Sequence, residues 1–431
     1  MPDASRVDDS LLLRPDLAPE DAVALATGSA RASLCPDARE ACRAAHSRMA
    51  KTISEERLVY GLTTGFGPLA NRLVPGEDIV RLQQNLIHHL ASGVGDPFEW
   101  KTARAIVLAR LLSILQGVSG ASEALIDLLV ALLNSRFAPM IPTRGTVGAS
   151  GDLTPLAHLA LCLQARAPFL ERSGATVPAA QVFDDLGCAP LSLRARDGLA
   201  LVNGTSAMTG TALLNMDRAT RLSDWSLILT AGLGEVMAAR EEAWDPAFAK
   251  VRPHPGQSAA TERLAQLTAG SMRRDRGRIA DRRLAPGLRA TEAGIAQDAY
   301  PLRCAPQVIG AALDTIAWHK DVTTRELQSA TDNPIFPPGA APALHGGNFM
   351  GSQIALASDA LSVAVLTLAG LAERQVARVT DERLNGGLPA FLSGGEIGLN
   401  SGLMGAQVTA TAILAEMRTR AVPASAQSIS T

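Results

Sequence analysis

The residues best suited to chemistry lie in the run Arg144-Gly-Thr-Val-Gly-Ala-Ser-Gly-Asp-Leu-Thr-Pro-Leu-Ala-His158. Its three closely spaced glycines, Gly145, Gly148 and Gly151, signal unusual backbone dihedrals or very close atoms. Thr154 followed by Pro155 predicts a helix start, with Thr as N-cap and Pro at the first helical position. The loop would then sit at the positive end of a helix dipole. Such a loop can cradle a phosphate or simply turn, but it lacks the Gly-Lys-Ser/Thr ending of a P-loop. Ala149-Ser150-Gly151 opens a second chemistry. The nitrogen of Gly151 can attack the carbonyl carbon of Ala149, because glycine has no Cβ to block the approach. Loss of water from the ring and from the Ser150 hydroxyl leaves a methylidene-imidazolone (MIO), an electrophile made from the chain itself with no external cofactor. A helix N-terminus beside it would make it more electron-poor.

Other short segments carry candidate groups. Tyr60-Gly-Leu-Thr-Thr-Gly-Phe-Gly67 is too rich in Gly and Thr for a helix or strand and reads as a loop that places a phenol at its start. The only other tyrosine, Tyr300, falls in Gln297-Asp-Ala-Tyr-Pro-Leu-Arg-Cys-Ala-Pro-Gln307, so core packing is an unsuitable job for either. Arg303 in that segment has the planar fork that matches a carboxylate, although most arginines serve surface or interface ion pairs. Asn203-Gly204 is a turn signal, Thr331-Asp-Asn333-Pro334 a helix stop, and His345-Gly-Gly-Asn-Phe349 a Gly-rich stretch in which Phe349 could equally be a core residue. In Leu86-Ile-His-His-Leu90, adjacent residues of a helix point about 100° apart, so His88 and His89 cannot both face one pocket.

The Gly-Thr-Val-Gly-Ala-Ser-Gly-Asp-Leu-Thr-Pro-Leu-Ala-His run resembles the signature of the aromatic amino acid ammonia-lyases, a group that includes histidine, phenylalanine and tyrosine lyases and related aminomutases. The resemblance runs from about Ala18 to Thr431, with the motifs in the family's order. It implies an MIO formed from Ala149, Ser150 and Gly151, and Tyr60 as general base. An unperturbed phenol titrates near 10, so a basic Tyr60 needs a lowered pKa or a coupled proton transfer. It further implies that Arg303, with Asn203 and Asn333, binds the substrate carboxylate and that Tyr300 lies near the amine. Phe349 would pack on substrate or MIO, and Gly67 would line the substrate side of the Tyr60 loop. Members usually carry Ser where this chain has Pro301, a departure expected to shift the local backbone. The pair at positions 89 and 90 faces the substrate ring; His89-Leu90 is similar to the tyrosine lyases, whereas Phe-Leu and Ser-His mark the phenylalanine and histidine lyases.

These groups need rigid elements to hold them. Aromatic residues are only 3 % of the 431 residues, so Ala and Leu must fill the core, which favours helices. Apolar residues recur at helical spacing over 77–92, 101–116 and 121–136, and long runs cover 206–244 and 350–380, both without proline, and 303–331, whose one proline, Pro306, lies near its start. The first of these runs would span about 58 Å as one helix. The expected fold is mainly α: a loop-rich N-terminal part over 1–203 carrying the Tyr60 and MIO loops, then a long-helix bundle over 204–431, an ammonia-lyase/fumarase-like architecture. Val422–Thr431 reads as a polar loop with nothing to dock it. The resemblance implies a further C-terminal part that supplies an amide or acid near the amine and completes a homotetramer.

Composition narrows the class. A net charge of −2 argues against a nucleic-acid platform or a membrane-surface protein. The apolar stretch 354–372 contains Asp359 and reads as a buried helix. An odd five cysteines without a C-x-x-C spacing fit a reducing cytoplasm and argue against a zinc site. Only four of 40 basic residues are lysines, none in a context that suggests a Schiff base. The Arg-rich stretch 273–289 reads as a solvated connection. The resemblance therefore implies elimination of ammonia from L-tyrosine to give trans-4-coumarate. The alternatives within the group are a phenylalanine or histidine lyase or an aminomutase. The alternative of another class is a silent helical assembly or a fragment unable to mature.

Overall fold

The structure, a computed structural model, describes residues 10–274, 287, 297–339 and 341–429. Helices dominate. The first eight are α1 (Pro19–Thr27), α2 (Pro36–Ser54), α3 (Ile79–Leu90), α4 (Trp100–Ile114), α5 (Glu123–Leu133), α6 (Leu153–Leu163), α7 (Ala179–Leu186) and α8 (Asp197–Val202). They are followed by α9 (Ser206–Val236), α10 (Pro246–Val251), α11 (Pro255–Leu267), α12 (Tyr300–Arg303), α13 (Ala305–Leu327), α14 (Ser352–Thr380) and α15 (Met404–Arg420). Short strands punctuate the N-terminal half: β1 (Ser10–Leu13), β2 (Arg31–Leu34), β3 (Val94–Pro97), β4 (Phe137–Pro139), β5 (Pro142–Arg144), β6 (Phe169–Glu171) and β7 (Thr176–Val177).

The chain forms two compact units, one of Met1–Asn215, Lys320–Leu356 and Ala424–Thr431, the other of Met216–His319 and Ala357–Pro423. The border expected at 203/204 therefore moves to 215/216, and two later segments rejoin the first unit. A chain that leaves a unit and returns to it leaves no mark in Pro and Gly density.

In the first unit α4 is buried on all sides from Thr102 to Ile114, as a helix at the centre of a core must be. Its Arg104 lies in the core because helix ends supply acceptors: the guanidinium donates to Leu25 O (3.0 Å) and Ala26 O (3.2 Å) of α1 and to Leu133 O (2.6 Å) of α5. Antiparallel β3 and β5 pair Val94 with Arg144, tying the chain that leaves α3 to the start of the Gly-rich run. In the second unit, Leu227 and Ala231 of α9, Ile309 and Ala312 of α13 and Ala364, Leu368 and Leu371 of α14 meet in one cluster with Trp244. Their three- and four-residue spacing gives each helix a single apolar stripe.

Several expectations need correction. The proline-free run from 206 is not one helix to 244. α9 stops at Val236, where Ala238 turns left-handed (φ +48°) and Ala239 N–H bonds back to Gly234 O at 2.8 Å, so α9 spans about 46 Å. The run from 303 splits into α12 and α13 at Cys304. The final loop is docked: Ser428 Oγ donates to Val147 O at 2.8 Å, on the Gly-rich run itself. Arg274 is buried rather than solvated, stacked 3.9 Å from the Trp244 ring centroid and bonded to Thr268 Oγ1 at 2.6 Å; residues 275–286 and 288–289 lie outside the described residues. By length and composition α14 could cross a membrane, yet its Ala364, Leu368 and Leu371 belong to the core cluster.

Candidate active site

The Gly-rich run is gripped by two helix N-termini, one more than expected. α6 begins at Leu153 with Asp152 as its cap residue, and Leu156 N–H bonds Asp152 O at 3.1 Å. The expected cap at Thr154 is therefore two residues late. Thr154 and Pro155 lie inside the first turn, where the missing proline N–H costs nothing. Asp152 is needed at the cap because its carboxylate does a second job: Oδ2 accepts Met208 N–H (2.8 Å), an unpaired donor at the start of α9. Its own N–H donates to Gly204 O at 2.7 Å. Complete burial pushes the Asp152 carboxyl up to about 7. Both dipoles thus aim their positive ends at the loop.

Between the two helices Ala149 and Gly151 are buried while Ser150 is exposed. Gly151 has φ +77°, and a Cβ there would lie 2.7 Å from Gly204 O, so only glycine lets the two backbones meet. The Phe349 segment is tied to the same loop by Gly351 N–H on Gly148 O at 3.2 Å; Phe349 itself is half-buried.

Asn203 and Asn333 lie against each other. Asn203 Nδ2 donates to Asn333 O at 2.9 Å, and Asn333 Oδ1 accepts Gly346 N–H at 2.7 Å. Two buried arginines hold them. Arg110 donates to Asn203 O and to Ser113 Oγ (3.0 Å), and burial pushes its pKa down to about 10. Arg196 grips Asp332 through both Nη atoms, at 2.9 and 3.0 Å, and also donates to Pro334 O at 2.7 Å. This is a bidentate, dry pair of the kind that fixes geometry.

Tyr60 opens its loop half-buried, its ring edge-on to Phe66. Its hydroxyl accepts Gly67 N–H at 2.9 Å, and its backbone N–H donates to His345 Nε2 at 3.1 Å. Because His345 accepts, its ring is neutral there, in keeping with a pKa lowered by burial. His345 thereby joins the Tyr60 loop to the Phe349 segment.

At the end of α3, His89 is exposed and Leu90 half-buried. His89 Nδ1 bonds Asn85 O at 3.0 Å. A carbonyl only accepts, so Nδ1 donates to it, and Nε2 is the ring nitrogen left to meet a phenol. His88 points elsewhere, onto Arg166.

Tyr300 and Arg303 belong to the second unit. Pro301 sits in the first turn of α12 and leaves its helical bonds in place: Leu302 and Arg303 N–H reach Ala299 O at 3.0 and 2.9 Å. The shift expected from Pro301 is thus not seen in these bonds, because a first-turn proline removes no helical donor. Tyr300 is 70 % exposed. The Arg303 guanidinium stacks 4.9 Å from its ring centroid and uses only Nε, on Asp298 O (3.2 Å), so among the described residues both Nη atoms remain open to a carboxylate.

The sequence model of the family described as "Aromatic amino acid lyase" matches residues 17–431. The chain belongs to that family. This aromatic amino acid lyase is 60 % identical over 413 residues to a tyrosine ammonia-lyase of Cereibacter sphaeroides, covering 96 % of this chain and 79 % of the relative. It is 40 % identical to a histidine ammonia-lyase of Gloeobacter violaceus, covering 96 % of this chain and 78 % of the relative. Among solved structures, a tyrosine aminomutase from Streptomyces globisporus superposes with a TM-score of 0.90 at 34 % identity, over 98 % of this chain and 80 % of that one.

The polar atoms around Ala149–Gly151 fit an MIO there. Asp152 Oδ1, Asn203 Oδ1, Ser206 Oγ and Arg110 Nε are buried without a hydrogen-bond partner, and all belong to the shell around this loop. Orphaned polar atoms so grouped mark a place where a prosthetic group and a polar substrate would sit. A separate cavity of about 600 Å³, bordered by Glu326, Thr331, Asn348 and Gln353, does not include Tyr60, His89 or Ser150 in its lining. Sequence reasoning passed over Asp152, Arg110, Arg196, His345 and Gln83. Arg110, Arg196 and Gln83 stood as bare polar letters, whereas Asp152 lay inside the Gly-rich signature and His345 opened the stretch that ends at Phe349.

Proposed function

We propose that this lyase eliminates ammonia from L-tyrosine to give trans-4-coumarate. The observation that carries the substrate is the His89 ring: with Nδ1 donating to Asn85 O, Nε2 is left to meet a phenol beside apolar Leu90. The identity to a tyrosine ammonia-lyase supports the same choice.

Ammonia is a poor leaving group and the β-hydrogen is weakly acidic, so acid–base groups alone do not suffice. Once formed from Ala149, Ser150 and Gly151, an MIO would supply the electrophile that converts the amino group into a leaving group. The remaining work falls to side chains. Asn203 and Asn333 bind the carboxylate, a role that the family resemblance also gives to Arg303, and His89 binds the phenol; holding a substrate at both ends can supply several kcal/mol. Tyr60, acting as the phenolate, takes the β-proton onto its oxygen to become the phenol, the C–H electron pair becomes the C=C bond, and the C–N pair departs with ammonia. Phe349 and the Gly67 turn border the substrate, and the resemblance gives Tyr300 a place by the amine. The loop's place at two helix N-termini favours charge that develops as the C–N bond breaks.

We further read the lyase as a cytoplasmic homotetramer with sites completed between chains and without nucleic-acid or membrane partners. The five free cysteines and the near-zero net charge support this. So do large apolar side chains left exposed on the long helices, including Trp225, Leu229, Val363, Val408 and Ile413.

The test is product analysis with L-tyrosine, L-phenylalanine and L-histidine. Coumarate and ammonia in equal amounts, with tyrosine the preferred substrate, is the expected result. A β-amino acid as the main product would identify an aminomutase, the second reading favoured by the structural likeness to a tyrosine aminomutase.

A further inference from the structure

Gln83 lies in the middle of α3, six residues before His89, and is completely enclosed. Both ends of its carboxamide are used. Nε2 donates to Gly61 O at 2.8 Å, and Oε1 accepts Leu199 N–H at 2.7 Å. Gly61 is the residue after Tyr60. Leu199 belongs to α8, whose last turn delivers Asn203 through Asn203 N–H on Leu199 O at 3.0 Å. One side chain therefore bridges the carbonyl of the residue after the proposed base and the helix of a proposed carboxylate-binding amide.

The packing leaves this bridge no slack. A Cβ on Gly198 would lie 3.0 Å from both Cβ and Oε1 of Gln83, so α8 is seated on α3 at a position without a side chain. The chemistry also restricts the residue type. Glutamate offers only acceptors when ionised, asparagine is one carbon shorter, and methionine has neither bond to give.

Tyr60 is held at three points: its N–H by His345, its hydroxyl by Gly67 N–H, and the next carbonyl by Gln83. Of these, Gln83 alone reaches to α8. We propose that Gln83 is a positioning residue for the elimination, fixing the Tyr60 loop against α8 so that the base and the carboxylate-binding Asn203 keep one spacing. This rests on the reading of Tyr60 as the general base. A base must come within hydrogen-bond reach of its proton, and an error of about 1 Å can cost roughly 100-fold.

Two variants test it in the full chain. Gln83→Glu places an acceptor against the Gly61 carbonyl, and Gln83→Met keeps the length while removing both bonds. Each is measured for kcat and KM with L-tyrosine, for the deuterium isotope effect on kcat with β-deuterated tyrosine, for MIO near-ultraviolet absorbance and for thermal unfolding, alone and combined with Tyr60→Phe. The expected result is intact absorbance, kcat lowered about 10- to 100-fold with KM changed less than about threefold, and an enlarged isotope effect. Adding either variant to Tyr60→Phe should cost nothing more, because both act on one step. Wild-type kcat in a folded Gln83→Met protein overturns the proposal, as does an equal further loss on top of Tyr60→Phe. Loss of fold or of absorbance in both variants overturns it in favour of a purely structural role. Wild-type kcat in Tyr60→Phe alone would show that the base assignment is the part that fails.

Discussion

His89 uses its Nδ1 proton on Asn85 O, which leaves Nε2 as the one ring atom able to meet a substrate. His89→Phe should therefore exchange tyrosine preference for phenylalanine preference. Phenylalanine bound to wild type leaves Nε2 unpaired, and tyrosine bound to the variant leaves a phenol unpaired, each costing about 1–3 kcal/mol. The two costs act in one direction, so relative kcat/KM should shift by roughly 10²- to 10⁴-fold. Measured kcat/KM for both amino acids on both proteins checks this; a variant that still prefers tyrosine shows that His89 does not read the phenol. At this scale the sequence was legible where composition was odd: two tyrosines in 431 residues, and Gly-rich runs around Ala149–Gly151 and Phe349. It was illegible where one ordinary polar residue bonds another far along the chain. Gln83 meets Leu199 across 116 positions, and Tyr60 meets His345 across 285.

The elements convert these residues into a site by their ends. α6 and α9 point their N-termini at one loop, joined by Asp152, and α3 carries Gln83 in its middle and His89 at its end. Helix positions were legible from apolar spacing because α3, α4 and α5 each bury a face or the whole helix. Their termini were less so. Asp152, not Thr154, caps α6, because the start of α9, more than 50 residues on, needs the Asp152 carboxylate. α9 ends by a left-handed turn that requires neither Pro nor Gly. α13 carries a testable electrostatic feature. His319 is fully buried, and burial pushes its pKa down to about 4. A histidine held neutral in the fold stabilises fully above its unfolded pKa near 6.5, and that contribution is lost as pH falls from about 6.5 to about 4. Buried Asp152, raised to about 7, works in the opposite sense over overlapping pH, so the comparison of variant with wild type isolates the histidine. His319→Leu should narrow its stability gap to wild type, or reverse it, by roughly 2–3 kcal/mol between pH 7 and pH 4 in urea unfolding. A gap independent of pH would mean that His319 does not titrate this way.

For the whole molecule, the mainly helical fold followed from a composition in which Ala and Leu replace aromatics, whereas the unit borders did not. The first unit reclaims Lys320–Leu356, and with it Asn333, His345 and Phe349, so that residues remote in sequence surround one loop. Everything proposed about the reaction depends on that loop becoming an electrophile within the folded chain. The orphaned buried atoms of Asp152, Asn203, Ser206 and Arg110 around it, and the open placement of Ser150, are what the account rests on. The most direct measurement is the intact mass of the purified folded protein, with fragmentation across 144–158, beside Ser150→Ala as control. The account predicts that the wild-type chain is lighter than its sequence by two waters, both lost within Ala149–Gly151, and that Ser150→Ala lacks this deficit and has no lyase activity. A folded wild-type protein at its full unmodified mass, or turnover by Ser150→Ala near the wild-type rate, would contradict it.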